Sequence, residues 1–296
     1  MKRDQLVAEL DGYFHVADVQ GDEWVTLFDL VYDAPYWRDY VEAPWVKSFN
    51  GLMVRGADEV TQVATCVFPS DAILRRVPAG SFVFAEHPVD DAPGDVFAPW
   101  SKATYQRLRA DGVSVYTVHA PLDHHPDVSP SVLLGKAISL TATKSFLPMA
   151  KGLPGGGAVI GDSDLTVADM QRRLQAAIGP DVRVALGPGL SMDEANHRAA
   201  GKVAIVAGGG ASVELLEAAL ALGCTTYVTG NALSPCTIPY VKALHDAFRA
   251  RAKAAGVAII DGTHYGTEKL SQLAMVDWFK ARGLEARFEA GVPERR

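Results

Sequence analysis

The segment Val257-Ala-Ile-Ile-Asp-Gly-Thr-His-Tyr-Gly-Thr-Glu268 predicts a strand that passes directly into a helix. Four apolar residues followed by Asp-Gly-Thr are typical of a buried strand leaving a sheet. Apolar residues then recur at helical spacing from Leu270, and Gly283 predicts the end of that helix. His264 and Glu268 lie four residues apart at this junction, which suits half of a metal site. Taken alone, the segment favours a simpler interpretation, a surface histidine beside a glutamate that interacts with the helix dipole.

Two other predicted strand ends carry the same combination of imidazole and carboxylate. Glu86-His87-Pro88 follows the predicted strand 81–85, and His119 follows the strand 113–118, with Asp123 four residues later. Because open α/β sheets place ligands at the carboxyl ends of their strands, these side chains are expected to converge with the first pair. Six nitrogen and oxygen ligands would suffice for a two-metal cluster, in which the glutamate of the opening segment could bridge the ions.

The remaining histidines and the serines offer alternatives to a metal site. A serine triad would also use histidine and aspartate, but the chain has no Gly-x-Ser-x-Gly nucleophile elbow. His124 and His125 are ambiguous, because they adjoin Asp123 although consecutive side chains seldom bind one metal. His15, His197 and His245 are interpreted as ordinary helix or surface residues.

The second half of the chain repeats the pattern of the first. A strand at 202–207 is followed by Gly208-Gly-Gly210, a helix from 213 to 222, a strand at 224–228 and the polar end Thr229-Gly-Asn231. The repeat predicts an α/β protein with two related halves of three-layer type, residues 1–145 and 146–296. The glycine-rich segment 151–157 is the candidate divide. The triple glycines lack the spacing of a nucleotide or dinucleotide loop and are interpreted as turns.

Composition narrows the class of protein further. The 296 residues are 48% hydrophobic, which indicates a soluble globular protein, and no apolar run reaches the roughly 18 to 20 residues of a membrane span. The amino terminus resembles an amphipathic helix rather than a signal peptide, and three scattered cysteines suggest a reducing compartment, so a cytoplasmic location is expected. A net charge of −7 argues against a nucleic-acid partner.

An ordered set of short motifs resembles the Nif-three-like family, often labelled GTP cyclohydrolase I type 2 homologues. The motifs are Asn50-Gly-Leu, Glu86-His-Pro, His119-Ala-Pro-Leu-Asp123, Thr229-Gly and Gly262-Thr-His-Tyr-Gly-Thr-Glu268. The resemblance covers residues 45 to 290 and implies a two-domain α/β fold, a toroidal hexamer and a dinuclear metal site. It implies metal ligation by His87, Asp123, His264 and Glu268, with Glu268 bridging and His119 lining the site.

Three positions depart from the family pattern. Glu86 stands where the family has histidine, and it could still bind a metal while favouring manganese, magnesium or iron over zinc. Asn231 replaces a glutamate, and Thr263 replaces a glycine before the His-Tyr pair. The departures are compatible with a metal site and argue against assuming a substrate shared with the relatives.

The combined hypothesis is a metal-dependent hydrolase of a small polar, nucleotide-like substrate. It uses two divalent ions (zinc, iron, manganese, magnesium or nickel), bound by Glu86, His87, Asp123, His264 and Glu268. His119 is the candidate for proton transfer. A non-catalytic metal-binding or regulatory ring and a two-metal phosphoesterase are the alternatives. A homo-oligomer is expected because the first 50 residues are rich in aromatic side chains that could form contacts, and the family resemblance implies that it is a hexamer.

Overall fold

The protein is described by a computed structural model, in which the described residues are 1–296 without 19–21, 23, 33, 93–95, 148–156, 188–190, 192, 194–196, 198 and 292–296. The chain forms two compact units. The first contains Met1–Leu122 and Gln272–Arg296, and the second contains Asp123–Met149 and Pro154–Ser271. The predicted division between residues 145 and 146 stays a prediction, and residues 151–156 of the candidate divide lie outside the described residues.

Helices and strands alternate through much of the chain, as an α/β fold requires. The α-helices are α1 Arg3–Tyr13, α2 Trp24–Val31, α3 Asp71–Arg76, α4 Lys102–Ala110, α5 Ala120–Asp123, α6 Pro130–Ala137, α7 Val167–Ile178, α8 Val213–Ala221, α9 Pro239–Ala255 and α10 His264–Lys280. The strands are β1 Gly51–Val54, β2 Gln62–Cys66, β3 Phe82–Ala85, β4 Asp90–Ala92, β5 Val96–Ala98, β6 Ser114–Thr117, β7 Thr141–Ser145, β8 Val159–Thr166, β9 Arg183–Ala185, β10 Ala199–Val206, β11 Thr226–Thr229, β12 Ala258–Asp261 and β13 Glu285–Phe288. Among the described residues, no helix is both long and apolar enough to cross a bilayer.

The first unit is built on a five-stranded sheet in the order β1-β6-β3-β2-β13. β6, β3, β2 and β13 run parallel, and β1 is the antiparallel edge strand. Alternate residues of the parallel strands are buried on both faces: Val83 and Ala85 join a cluster with Trp24, whereas the ring of Phe84 lies 5.6 Å from that of Phe279. Burial of both faces is characteristic of a parallel sheet covered by helices on each side.

The aromatic residues of the first 50 positions form much of this core. Trp24, Phe28 and Trp37 are 0% exposed and Trp45 is 1% exposed. The expectation that these rings offer spare apolar surface for subunit contacts is therefore wrong. They pack on their own unit because the short helix α2 and two 3-10 turns, Pro35–Asp39 and Trp45–Lys47, fold back over the sheet.

The second unit is built on a six-stranded sheet in the order β7-β8-β10-β11-β12-β9. The central strands β10, β11 and β12 are parallel, and β7, β8 and β9 are antiparallel to their neighbours. Val203 and Ile205 belong to one hydrophobic cluster, and Ala204 and Val206 belong to another. The unit therefore has three layers, with the carboxyl ends of β10, β11 and β12 at one edge, where ligands bind in such sheets.

Candidate metal centre

His264 and Glu268 meet at the start of α10, directly after β12. His264 Nε2 lies 3.0 Å from Glu268 Oε1, and their side chains are only 13% and 5% exposed. The spacing of four residues places both side chains on one face of the helix. His264 and Glu268 are therefore neighbours at a strand–helix junction, and their burial does not fit the interpretation of a surface histidine.

Glycines at the two neighbouring strand ends make room for this pair. A Cβ atom on Gly208, which follows β10 and has a φ of +60°, would lie 2.0 Å from Glu268 Oε1. A Cβ atom on Gly230, which follows β11, would lie 2.6 Å from both Gly208 O and Thr267 Oγ1. The Gly208 N–H also donates to Thr267 Oγ1 at 2.9 Å. Only glycine lets these strand ends approach so closely, so Gly208 and Gly230 have a role in packing against the His264–Glu268 pair.

The first turn of α10 is held by Thr263, the position at which the resemblance predicts glycine. Thr263 has a φ of +63°, a left-handed conformation that is uncommon for a β-branched residue. Its N–H donates to Asp261 Oδ1 at 2.9 Å, and its Oγ1 accepts the Gly266 N–H at 3.0 Å. The threonine therefore keeps the backbone conformation of the expected glycine and adds a helix cap.

Asn231, beyond β11, lies beside the same glycine turn. Its side-chain Nδ2 is 3.9 Å from a Cβ built on Gly209, and nothing else lies within 4 Å of that position. Asn231 is only 6% exposed, and its Oδ1 has no hydrogen-bond partner among the described residues. The carboxamide therefore has hydrogen-bonding capacity available near the His264–Glu268 pair.

In the first unit, Glu86 and His87 directly follow β3 and are almost wholly buried, at 0% and 1% exposure. The amide of Gln272 donates to Glu86 Oε2 at 3.4 Å. The His87 ring stacks on Phe68 with centroids 4.3 Å apart, and its centroid lies 5.1 Å from that of His119. Two of the predicted site histidines are thus adjacent within an aromatic enclosure.

His119 is paired with Asp22, which the sequence interpretation did not identify. His119 Nδ1 lies 3.3 Å from Asp22 Oδ1, and the aspartate side chain is 0% exposed. Burial would raise the pKa of the Asp22 carboxyl, but the neighbouring imidazole and the hydrogen bonds it receives outweigh burial and hold that pKa well below its ordinary value. A charge is kept in a protein interior only when it is well paired. The Asp22 carboxylate and its partners are therefore a structural element of the first unit.

The residues around Asp123 have different environments. Asp123 ends the short helix α5 and is partly buried. His125 Nδ1 accepts the N–H groups of Asp127 and Val128, at 3.1 and 3.3 Å. His125 Nδ1 therefore holds the backbone of its own loop. This contact favours a structural role for His125 over metal binding.

His87, His264 and Glu268 form a group that could bind a metal ion, and this group is called the candidate metal group below. Imidazole suits zinc, iron and nickel, and a carboxylate suits manganese and magnesium as well, so the donor types fit a divalent transition metal. Metal ligation by Glu86 and Asp123 stays a prediction, as does the role of His119 in proton transfer.

Comparison with known proteins agrees with the motifs. The sequence profile of Duf34/NIF3 (NGG1p interacting factor 3) matches residues 45–292. The chain belongs to the Duf34/NIF3 family. A relative from Deinococcus radiodurans named GTP cyclohydrolase 1 type 2 homolog is 29% identical over 251 residues, covering 83% of each protein. A relative of the same name from Escherichia coli K12 is 25% identical over 232 residues, covering 77% of this chain and 83% of its own.

Solved structures show that the Duf34/NIF3 fold extends over nearly the whole chain. The protein ybgI, of unknown function, matches with a TM-score of 0.69 at 19% identity, covering 99% of this chain and 100% of its own. A protein from Thermus thermophilus matches with a TM-score of 0.65 at 23% identity, again covering 99% and 100%. At these identities the likeness concerns the fold alone. The profile match confirms the predicted family, and the fold match confirms the predicted α/β class.

Proposed function

We propose that this Duf34/NIF3 protein is a metal-dependent hydrolase of a small polar, nucleotide-like substrate. The observation that carries the proposal is the candidate metal group, in which the buried His264–Glu268 pair follows the central parallel strands of its sheet. Under the proposal, Glu86 and Asp123 complete a site for two divalent ions. Such ions would supply Lewis-acid activation of water and of the scissile bond.

The chain's own residues have separable tasks in this proposal. The ions would be held by Glu86, His87, Asp123, His264 and Glu268. Gly208 keeps the space that the Glu268 carboxylate occupies. The aromatic rings around His87 exclude water and so strengthen electrostatic interactions in the site. His119 accepts the proton released in the hydrolytic step.

Substrate orientation is proposed for Asn231. Its buried Oδ1 could accept a hydrogen bond from a substrate N–H or O–H, a capacity that a small polar molecule could use. A nucleotide-like substrate is suggested by the name of the relatives, GTP cyclohydrolase 1 type 2 homolog.

The proposal is tested by measuring metal content and turnover on Glu268→Gln. The matched control is Glu214→Gln, because Glu214 is an exposed glutamate in the first turn of another helix, α8. Purified wild-type protein and the control should bind divalent metal, and Glu268→Gln should bind at least tenfold more weakly, since it loses an anionic ligand.

Turnover distinguishes the proposed hydrolase from the alternatives. Metal-loaded wild-type protein is incubated with GTP and with bis(p-nitrophenyl) phosphate, and ring opening and ester cleavage are measured separately. Ring opening that is lost in Glu268→Gln supports the proposal. Ester cleavage alone would favour a phosphoesterase, and metal binding without either reaction would favour a metal-binding scaffold. Wild-type protein that binds no metal would contradict all three.

A further inference from the structure

The Asp22 carboxylate accepts hydrogen bonds from four directions within the first unit. Oδ1 lies 3.1 Å from the Trp24 backbone N and 3.3 Å from His119 Nδ1. Oδ2 lies 3.0 Å from both the Ala120 backbone N and Asn50 Nδ2. Two partners on each oxygen use the approximately four acceptor positions of an ionised carboxylate. The four contacts therefore determine which atoms carry hydrogen.

Three of the four groups in contact with Asp22 can only donate a hydrogen bond. Backbone N–H groups have no acceptor capacity, and the orientation of the Asn50 carboxamide is fixed by its other partners. Asn50 Oδ1 accepts the His119 backbone N–H at 2.8 Å, and Asn50 Nδ2 donates to Ser48 O, also at 2.8 Å. Exchanging the amide's oxygen and nitrogen would set donor against donor and acceptor against acceptor, so Asn50 must present its NH₂ group to Asp22.

These contacts settle the tautomer of His119. Asp22 is an acceptor at every contact, so an unprotonated Nδ1 would place two lone pairs against each other at 3.3 Å. Nδ1 therefore carries the hydrogen, and in the neutral imidazole the lone pair is on Nε2. The rings of Trp24 and His119 are nearly perpendicular, with centroids 6.2 Å apart and an interplanar angle of 85°.

We propose that Asp22 is a positioning residue that holds His119 in the Nδ1–H tautomer and so presents Nε2 as the proton-accepting atom. The catalytic meaning of this inference rests on the proposed function, in which His119 accepts a proton. The tautomer itself is a property of the first unit and does not depend on turnover. Asp22 lies 97 residues from His119 in the chain, and Asn50, which bonds to both, completes the set.

The simpler interpretation gives Asp22 only a structural role, as an anchor for the backbone at Trp24 and Ala120. Both interpretations predict a loss of stability when the carboxylate is changed. The two interpretations differ in which nitrogen of the His119 imidazole carries the proton in the variant. The amide NH₂ of Asp22→Asn would oppose two fixed donors, Ala120 N–H and Asn50 NH₂, in place of Oδ2, but only Trp24 N–H in place of Oδ1. It should therefore replace Oδ1. His119 would then have to accept at Nδ1 and carry its hydrogen on Nε2.

The test is nitrogen NMR of protein labelled with ¹⁵N-histidine, at a pH where the imidazoles are neutral. His119→Gln assigns the His119 signals. In wild-type protein the proton is expected on Nδ1, and in Asp22→Asn it should be lost from Nδ1 and found on Nε2. Asp18→Asn is the matched control, because Asp18 lies 3.7 Å from His15 Nδ1 in an exposed pair and should leave the His119 signals unchanged.

Two results would overturn the inference: a wild-type His119 protonated on Nε2, or an Asp22→Asn protein that keeps the proton on Nδ1. The wild-type spectrum is decisive by itself if Asp22→Asn does not fold. Metal content is measured on the same samples. Wild-type protein with the expected tautomer and no bound metal would contradict the proposed function and leave the positioning role of Asp22 supported.

Discussion

Gly208 sets the space available to the Glu268 carboxylate. Gly208→Ala should weaken metal binding at least tenfold, because the added methyl group would overlap Oε1 at 2.0 Å and the residue has a φ of +60°. Gly209→Ala is the matched control, since a Cβ there meets only Asn231 Nδ2, at 3.9 Å. Metal affinity is measured by titration calorimetry on both variants. Equal affinities in the two variants would refute the proposed role of Gly208.

Asp11 and Asp4 lie on the same helix, α1, and should affect stability with opposite pH dependence. Burial raises the pKa of Asp11, although the hydrogen bond from the Tyr116 hydroxyl opposes this shift. A raised folded-state pKa stabilises the fold below the unfolded value of 3.8, and this contribution is lost as pH rises through the folded pKa. Asp11→Asn should therefore raise Tm at neutral pH and change it little at pH 3.

Asp4→Asn is the control, for which the change in Tm at neutral pH should have the opposite sign. The hydrogen bond from Arg3 lowers the pKa of the exposed Asp4 carboxyl, so its stabilising contribution is present above the unfolded pKa and is lost in acid. Asp4→Asn should lower Tm slightly at neutral pH and by less at pH 3. Thermal melts of both variants at the two pH values check the signs. A lower Tm for Asp11→Asn at neutral pH would contradict the argument.

The sequence indicated candidate site residues where the interacting side chains lie close to one another in the chain. His264 and Glu268 lie in one strand–helix junction, and Glu86-His87 follows a strand directly, so the residue pattern indicated their places in the fold, while their role as metal ligands stays a prediction. Asp22 was missed because its partners are 28 and 97 residues away, and no local pattern distinguishes it from a surface aspartate. The positive φ of Thr263 was equally unpredictable from its own side chain, and only the family pattern of glycine pointed to it.

Helix α7 shows how a local capping sequence stabilises the start of a helix. Thr166 Oγ1 accepts the Asp169 N–H at 3.0 Å, the contact that the sequence Thr-Val-Ala-Asp favours at a helix start. Thr166→Ala should destabilise the protein by about 1 kcal/mol because a first-turn N–H loses its acceptor. Thr143→Ala, at an exposed strand position, is the control and should be nearly neutral. Urea unfolding at neutral pH measures both, and equal effects would contradict the capping argument.

Strands outside the repeated α/β pattern were the elements that sequence reasoning missed. β8 contains Gly161, Asp162 and Asp164, so it lacks the apolar run of a central strand, yet it pairs with β10 over most of its length. β13 follows α10 as Glu-Ala-Arg-Phe and pairs with β2 from a distant part of the sequence. Non-local hydrogen bonding determines such strands, and hydrophobic periodicity does not report it.

Metal binding should be visible in the stability of the whole molecule. A ligand that binds only the folded state stabilises it by about 2.7 kcal/mol at 100 times its Kd. Adding Mn²⁺ or Zn²⁺ to metal-free protein should therefore raise Tm, EDTA should reverse the rise, and the rise should be smaller in Glu268→Gln. A rise of equal size in Glu268→Gln would indicate that the ions act elsewhere.

Assembly into a closed homo-oligomer, with a hexamer favoured, is proposed on the family resemblance alone, because the tryptophans first thought to form contacts are buried in their own unit. Large exposed apolar side chains remain on α2 and α9, where Leu30 is 78% exposed and Tyr240 is 73% exposed. Such side chains suit subunit contacts, since association would remove them from water.

Light scattering at micromolar concentration should give a mass several times the 31.6 kDa of the chain. Leu30→Asp or Tyr240→Asp should reduce that mass if the substituted residue lies in the contact. A single species near 31.6 kDa would refute the proposed assembly.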